Sequence, residues 1–318
     1  MPPIVVLGAA GFIGRALVRR LAADGRDVIA VTRRTATFGP GIKVVTSSDL
    51  VPSSGWSRTL AGADAAIHLA SPPHARSAGT DIEAWITAVA GTARHVAEEI
   101  ARARVPQAIL LSSVLVHGEA TAEIPFRADQ PLAPATPYAR AKVRTEQEMR
   151  ALLANSDTAL AVIRPPLVYG PEAGYRFQLL LRLVLRAAVL PLAGIRNRRS
   201  MIYRENLVDL LSHILVRPKP VQGAYLARDD DELSTPELVR RIGARLGHVP
   251  ALLPCPVPLL RTAGRLLGRS EIVDRLTQSL QVDDRATRLA LDWSPPHGVD
   301  AGLAETCRWF LAQKKTTV

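Results

Sequence analysis

Val5-Val6-Leu7-Gly8-Ala9-Ala10-Gly11-Phe12-Ile13-Gly14 joins an apolar run, three glycines at every third residue and the start of an amphipathic segment. The run Ile4 to Leu7 reads as a buried strand. Phe12 to Ala23 has helical spacing, with Phe12, Ala16 and Leu17 on one side and Asp24-Gly25 closing it. Lacking a Cβ, Gly8 can take a tight turn and Gly11 lets a ligand approach the backbone. Gly14 lets the helix sit close on the strand. The helix N-terminus offers free N–H groups and a partial positive charge to a pyrophosphate. This is the logic of dinucleotide binding, spaced G-x-x-G-x-x-G rather than G-x-G-x-x-G. A glycine-rich turn can be merely a turn; its place between an N-terminal strand and a helix favours the nucleotide reading.

Outward from this stretch, short apolar strands are expected at 28–31, 42–45, 65–69, 108–111 and 159–163. Helical segments near 12–23, 80–104 and 138–154, with a shorter one near 56–60, separate most of them. Strand and helix in alternation mean right-handed βαβ units, so the expected class is α/β, a Rossmann-type doubly wound parallel sheet. Beyond Gly170 helical segments dominate (177–189, 205–216, 235–246, 257–267, 271–280, 299–313), broken by the proline-rich 249–258 stretch. The expected division is a dinucleotide-binding domain over 1–170 and a smaller, mostly helical substrate-binding lobe over 171–318, with parts free to return to the sheet. Ligands bind beyond the carboxyl ends of parallel strands, so the cleft between lobe and sheet is the natural active site.

With 318 residues, 47% apolar and 22% charged, the chain is globular and large enough for a sizeable core. Cys255 and Cys307 offer neither ligand spacing nor a disulfide framework, which fits a reducing, cytoplasmic setting. The N-terminus lacks a basic region before its apolar run, so no signal peptide is expected. The apolar stretch 177–194 is broken by Arg182 and Arg186 and is short for a bilayer, so no membrane span is expected. Seven histidines form no H-x-x-x-H or H-E-x-x-H pattern, and no metal site is expected. The formal charge of +11 suits nucleic acid, an anionic membrane or a phosphorylated substrate. The arginines are dispersed and not interleaved with aromatics, so no nucleic-acid partner is expected.

Nicotinamide-dinucleotide folds often carry a carboxylate ~20 residues after the glycines to hold the adenosine ribose. Here that position is Thr32, followed by Arg33 and Arg34. Guanidinium groups bind a 2′-phosphate through charge-assisted hydrogen bonds, so NADP(H) is preferred, with NAD(H) as the alternative. Two arginines exposed in a loop are the plainer explanation. Asp49, with Leu50 beside it, is placed to accept a hydrogen bond from the adenine amino group.

Tyr138-Ala139-Arg140-Ala141-Lys142 opens a helix, and residues four apart share a helical face. A free phenol titrates near ~10 and is a poor acid–base group at neutral pH. A neighbouring ammonium favours the phenolate and lowers that value. Y-x-x-x-K by itself is common, and a helix-surface pair is its bland reading. Ser113, within Ser112-Ser113, supplies a third member able to hydrogen-bond a substrate oxygen beside Tyr138.

Taken together, Gly8/Gly11/Gly14, the segment Ser-Ser-Val-Leu-Val-His-Gly (112–118) and Tyr138/Lys142 resemble the extended short-chain dehydrogenase/reductase family of NAD-dependent epimerases and dehydratases. So do Arg164-Pro165-Pro166-Leu167-Val168-Tyr169-Gly170-Pro171 and Arg199-Ser200-Met201-Ile202-Tyr203-Arg204-Glu205-Asn206. The resemblance runs in order over essentially the whole chain. It implies Tyr138 as general acid/base, Lys142 as its electrostatic partner and ribose ligand, and Ser113 as the group orienting the reacting oxygen. It implies cofactor contacts from Gly8, Gly11, Phe12, Ile13 and Gly14, from Leu69-Ala70-Ser71, and from Pro165 and Leu167 past the nicotinamide. Arg199 would reach the diphosphate of a nucleotide sugar, and a homodimer is the assembly the resemblance admits. One departure is His117, where the family usually carries tyrosine.

Ser113-Val114-Leu115 stands where sugar-dehydrating members carry a Thr-Asp-Glu-like triplet. Without paired acids to move the C5 proton and the leaving hydroxyl, dehydration is not expected. Asn197-Arg198-Arg199-Ser200, 233–238 and 261–268 are similar to a bacterial subgroup, the reductases of UDP-4-keto-6-deoxy-N-acetylglucosamine. These make UDP-N-acetylquinovosamine for surface polysaccharide. The expected activity is therefore hydride transfer from NADPH to a C4 ketone of a UDP-linked sugar. A UDP-sugar 4-epimerase with tightly bound NAD is the first alternative, and a non-catalytic NADP(H)-binding sensor the second.

Overall fold

The computed structural model describes residues 1–47, 56–70 and 81–315. Asp49, Leu50 and Ser71, assigned above to the cofactor, lie outside the described residues. Strands β1 (Ile4–Leu7), β2 (Val28–Thr32), β3 (Lys43–Thr46), β4 (Ala65–His68), β5 (Gln107–Leu111) and β6 (Ala159–Arg164) follow one another with helices between most of them. These helices are α1 (Phe12–Ala23), α2 (Trp56–Leu60), α3 (Ile82–Arg102) and α4 (Pro137–Leu153). Short strands β7 (Leu167–Tyr169), β8 (Val189–Leu190), β9 (Met201–Tyr203), β10 (Gly223–Leu226) and β11 (Ala251–Leu252) come later. Among them run α5 (Tyr175–Arg186), α6 (Arg204–Leu215) and α7 (Thr235–Leu246). The chain ends with α8 (Val257–Leu266), α9 (Ser270–Thr277), α10 (Arg285–Leu291) and α11 (Val299–Lys315).

Seven strands form one parallel sheet in the order β10-β6-β5-β4-β1-β2-β3. The order reverses between β1 and β4, which opens a crevice at their carboxyl ends. Strands β1, β2, β4 and β5 are buried along their whole length. That explains their unbroken apolar sequences, because helices cover both faces. Leu17 and Leu21 of α1 with Leu207 and Leu211 of α6 fill one face. Val96 and Ile100 of α3 with Met149 and Leu153 of α4 fill the other. Leu181, Leu238, Ile242 and Leu303 form a separate core in the C-terminal part.

The central strands and first helices stand within a residue or two of their expected positions. The differences lie after residue 164. Residues 204–226 supply the helix that packs on α1 and the seventh strand of the sheet, and β7 pairs in parallel with β9. Strands of two or three residues carry too few side chains for a period of two to register, and β10 lacks the fully buried run of β1 and β4.

Asp229 ties these late elements together. It is fully buried and accepts hydrogen bonds from the Tyr203 amide (3.0 Å), the Asn206 side chain (2.7 Å) and the Tyr169 hydroxyl (2.8 Å). Burial raises its pKa, and the three donors oppose that rise. α11 closes over this hub at Gly302, where a Cβ would stand 2.8 Å from the Tyr169 hydroxyl oxygen and the Tyr203 ring. We predict that Asp229→Ala, which takes the shared acceptor from three buried donors and leaves the Tyr203 amide with none, loses about 2 kcal/mol or more, at about 1–3 kcal/mol for each buried group left unpaired. Guanidinium chloride unfolding measures this, and a loss below about 1 kcal/mol contradicts the hub.

Candidate active site

The glycine stretch forms a close-packed turn. Gly8 has φ +85°, and a Cβ there would stand 2.8 Å from the Ala70 nitrogen. A Cβ on Gly14 would run into the Gly8 carbonyl and stand 2.8 Å from Ala9. Side chains are excluded at both positions by backbone, so strand, turn and helix approach as closely as peptide groups allow. Above the turn opens a cavity of about 800 Å³, lined by Gly8, Gly11, Phe12, Ile13, Gly14, Leu69 and Ala70. Its volume is in the range of small-molecule and cofactor sites. The first amides of α1 have no intrahelical partner and border this space. Thr32, Arg33 and Arg34 line another part of it. Both arginines are exposed, and the Thr32 hydroxyl donates to the Arg34 carbonyl at 2.8 Å, shaping the loop.

Leu111, at the end of β5, also lines the cavity, and its carbonyl accepts a hydrogen bond from Lys142 Nζ at 2.9 Å. Thr136 caps α4 by accepting from the Ala139 amide (3.2 Å), and Pro137 opens the helix. One turn separates Tyr138 from Lys142, and Nζ lies 5.9 Å from the centre of the phenol ring. Burial lowers the Lys142 pKa to about 8 against the pull of Glu146, which raises it. Ser113 begins a short 3₁₀ turn (Val114–Val116), its Oγ accepting from the Leu115 amide at 3.2 Å. Pro165 accepts from the Val114 amide at 2.9 Å, and Gly170 approaches the Phe12 ring. The segment 165–170 therefore runs between the 3₁₀ turn and the start of α1. Leu167 is exposed on β7.

Arg199 sits farther out. Its guanidinium donates to the Arg275 carbonyl (2.7 Å) and the Gln278 carbonyl (3.1 Å), and burial lowers its pKa. It joins the centre through Leu280, which accepts from the Ser200 amide and packs in one cluster with Val114.

The sequence reading missed Glu146 and His68 here, and named Arg164 and His117 only as part of the family pattern and as a departure from it. Glu146 is 1% exposed and receives Ser112 Oγ (2.5 Å) and the guanidinium of Arg164 (2.6 and 3.0 Å). Arg164 also meets His117 Nε2 at 3.1 Å. Arginine only donates, so Nε2 accepts and the His117 proton sits on Nδ1. Burial, then Arg164, lowers the His117 pKa. His68 at the end of β4 is fully enclosed, and burial with Lys142 nearby pushes its pKa down to about 3. The available signal was the repeat Tyr138, Lys142, Glu146, one face of α4 in steps of four.

The model of the NAD-dependent epimerase/dehydratase family matches residues 4–226. The chain belongs to this family. This member is 32% identical over 98% of its length to a UDP-glucose 4-epimerase of Vibrio cholerae, covering 96% of that protein. It is 27% identical over 97% of its length to a ceramide reductase of Caulobacter vibrioides, covering 94%. Its fold matches that of MoeE5 in complex with UDP-glucuronic acid and NAD, with a TM-score of 0.78 and 22% identity over 98% of this chain and 100% of the other.

The electrostatics of this family member give a test. Glu146→Gln removes the carboxylate that holds the Lys142 pKa up, so Lys142 should lose its proton at a pH lower than about 8. The Cε chemical shift of Lys142 in ¹³C-lysine-labelled protein reads this directly. An unchanged or higher midpoint contradicts the coupling.

Proposed function

We propose that this protein reduces the C4 ketone of a UDP-linked sugar with a nicotinamide dinucleotide, NADPH by preference. Residues 1–170 hold the dinucleotide and 171–318, apart from the segment 204–226 that returns to the sheet, shape the sugar pocket. The observation that carries the reading is Lys142, buried beneath Tyr138 and pinned to the carbonyl of Leu111 where β5 meets the glycine-lined cavity.

The cavity suits the cofactor. The Gly8–Gly14 cradle and the first amides of α1 receive a pyrophosphate. Arg33 and Arg34, with no carboxylate at Thr32, suit a 2′-phosphate. When bound, the nicotinamide ring supplies the hydride. Tyr138 gives its phenolic proton to the C4 oxygen as the carbonyl becomes a hydroxyl, and solvent then restores that proton. The Lys142 ammonium stabilises the phenolate left behind and holds the nicotinamide ribose. Ser113 donates to the same oxygen and orients it. Arg199 is a largely buried cation held by backbone carbonyls with no carboxylate partner among the described residues, and a substrate diphosphate supplies that anion. Val114 and Leu115 put apolar side chains where dehydration needs acids.

A second reading, UDP-sugar 4-epimerisation, is favoured by the likeness to the UDP-glucose 4-epimerase of Vibrio cholerae. The same Ser113 and Tyr138 serve it by removing and returning one proton. The two separate in one experiment. The protein is incubated with UDP-4-keto-6-deoxy-N-acetylglucosamine and NADPH, and separately with UDP-N-acetylglucosamine and no added cofactor. Stoichiometric NADPH loss with a reduced 6-deoxy product supports the reductase; the galacto isomer without added cofactor overturns it. Arg33→Ala/Arg34→Ala should raise KM for NADPH about tenfold or more while leaving NADH little changed. Tighter calorimetric binding of NAD than NADP by the native protein overturns the cofactor preference.

A further inference from the structure

The arginines are dispersed along the chain, but the acidic residues that balance them are not. Residues 173–200 and 238–270 each contain six arginines and no aspartate or glutamate; in the rest of the chain 28 basic residues meet 29 acidic ones. These two stretches carry the whole excess in sequence, although Arg241 and Arg245 pair with Asp300 and Arg261 pairs with Asp274. They also hold nine of the seventeen exposed large apolar side chains among the described residues.

Both stretches belong to the same part of the molecule. α5 buries Phe177, Leu181 and Val184 and turns Tyr175, Leu179 and Leu183, four residues apart, to solvent. Its cations Arg176, Arg182 and Arg186 share that helix, with Arg182 over the Tyr175 ring at 5.9 Å. β8 pairs with β11, and the Ala193 amide donates to the Leu253 carbonyl at 3.0 Å. Exposed Val189 and Leu253 thus stand on one ribbon between α5 and α8.

Beyond the ribbon, α8 and α9 form a hairpin that packs mainly on itself. α8 buries only Gly264, where a Cβ would stand 2.6 Å from the Val273 side chain, and α9 buries nothing. The hairpin tip reads Arg265-Leu266-Leu267-Gly268-Arg269, with Gly268 turning the chain at φ +62°. Leu266 and Leu267 are 84% and 74% exposed, with an exposed arginine on each side. Leu259, one helical repeat before Leu266, is 61% exposed on the same side.

We infer that this face, with the 265–269 tip as its leading edge, docks on an anionic lipid bilayer. Arginines alone serve a polyanion and leucines alone an apolar partner; an anionic bilayer uses both, phosphates meeting the guanidinium groups and the acyl boundary the leucines. Association is at the surface, since no helix among the described residues is long and apolar enough to cross a membrane. The inference is independent of which sugar chemistry the site performs.

The test is flotation of the full chain with vesicles of equimolar phosphatidylethanolamine and phosphatidylglycerol, against vesicles of phosphatidylcholine alone. The native protein should float with the anionic vesicles, less so at high salt, and not with phosphatidylcholine. Leu266→Ser/Leu267→Ser should lower partitioning about tenfold or more. Arg265→Gln/Arg269→Gln should lower it roughly fivefold per arginine. Leu289→Ser, exposed on α10 and outside both basic stretches, is the control and should float as the native chain does. Circular dichroism and the melting temperature confirm that each variant is folded. A native chain that floats with neither vesicle, or a folded leucine variant that floats undiminished, overturns the inference. A native dimer that the leucine variant splits, with no vesicle binding, assigns the face to a second copy and also overturns it.

Discussion

Between α4 and β6 the Glu146 carboxylate grips the Arg164 guanidinium with both side chains almost wholly out of water, 1% and 5% exposed. A charge buried in this way is costly unless every lone pair and proton finds a partner. Glu146 takes two guanidinium bonds and the Ser112 hydroxyl. Arg164 adds His117 and the Ala128 carbonyl at 3.0 Å. The pair thereby fixes three segments at once. α4 carries Tyr138 and Lys142, Ser112 precedes Ser113, and Arg164 leads into Pro165 and Leu167. His117 follows from the same constraint. The position must present a lone pair to a donor-only guanidinium, and a neutral histidine stacked on Phe126 at 5.7 Å does so.

The ladder of charge along α4 then acts on Lys142. Burial disfavours its ammonium, Glu146 one turn on favours it, and the Leu111 carbonyl fixes its head. The outcome is a cation close to its deprotonation point, held beneath a phenol, where a change of phenol charge is strongly felt. His68 stays neutral beside it and adds no competing charge. On the other side of Leu111, the glycine turn leaves room for a dinucleotide because backbone, not side chain, forms its floor.

The fold was legible wherever a helix was long or a strand's apolar run was unbroken. Fully buried runs gave β1, β2, β4 and β5, and Gly8, Gly11 and Gly14 marked the one turn that needs them. The pair β7–β9 and strand β10 were not legible, because β7 and β9 have only three residues and β10, half-buried at three of its four positions, lacks the fully buried run that marks β1 and β4. Tyr138, Lys142 and Ser113 could be named from spacing and family resemblance. Glu146 was not: its step of four from Lys142 was the signal, but it sits among Arg140, Arg144, Glu148 and Arg150, a set that reads as a solvated helix face. Only the packing of α4 on β6 shows that one of these charges points inward. Arg199 was legible as a cation, but its anchoring by two carbonyls of α9 and the residue beyond was not.

The account rests on Tyr138 as the proton donor, so its most direct measurement removes that one hydroxyl. Tyr138→Phe keeps the ring over Lys142 and leaves the glycine cavity untouched. Turnover of the keto-sugar substrate should fall about 10²–10⁴-fold, the usual worth of a positioned general acid. Calorimetric dinucleotide binding should stay close to native. Native turnover in the phenylalanine variant would contradict the account.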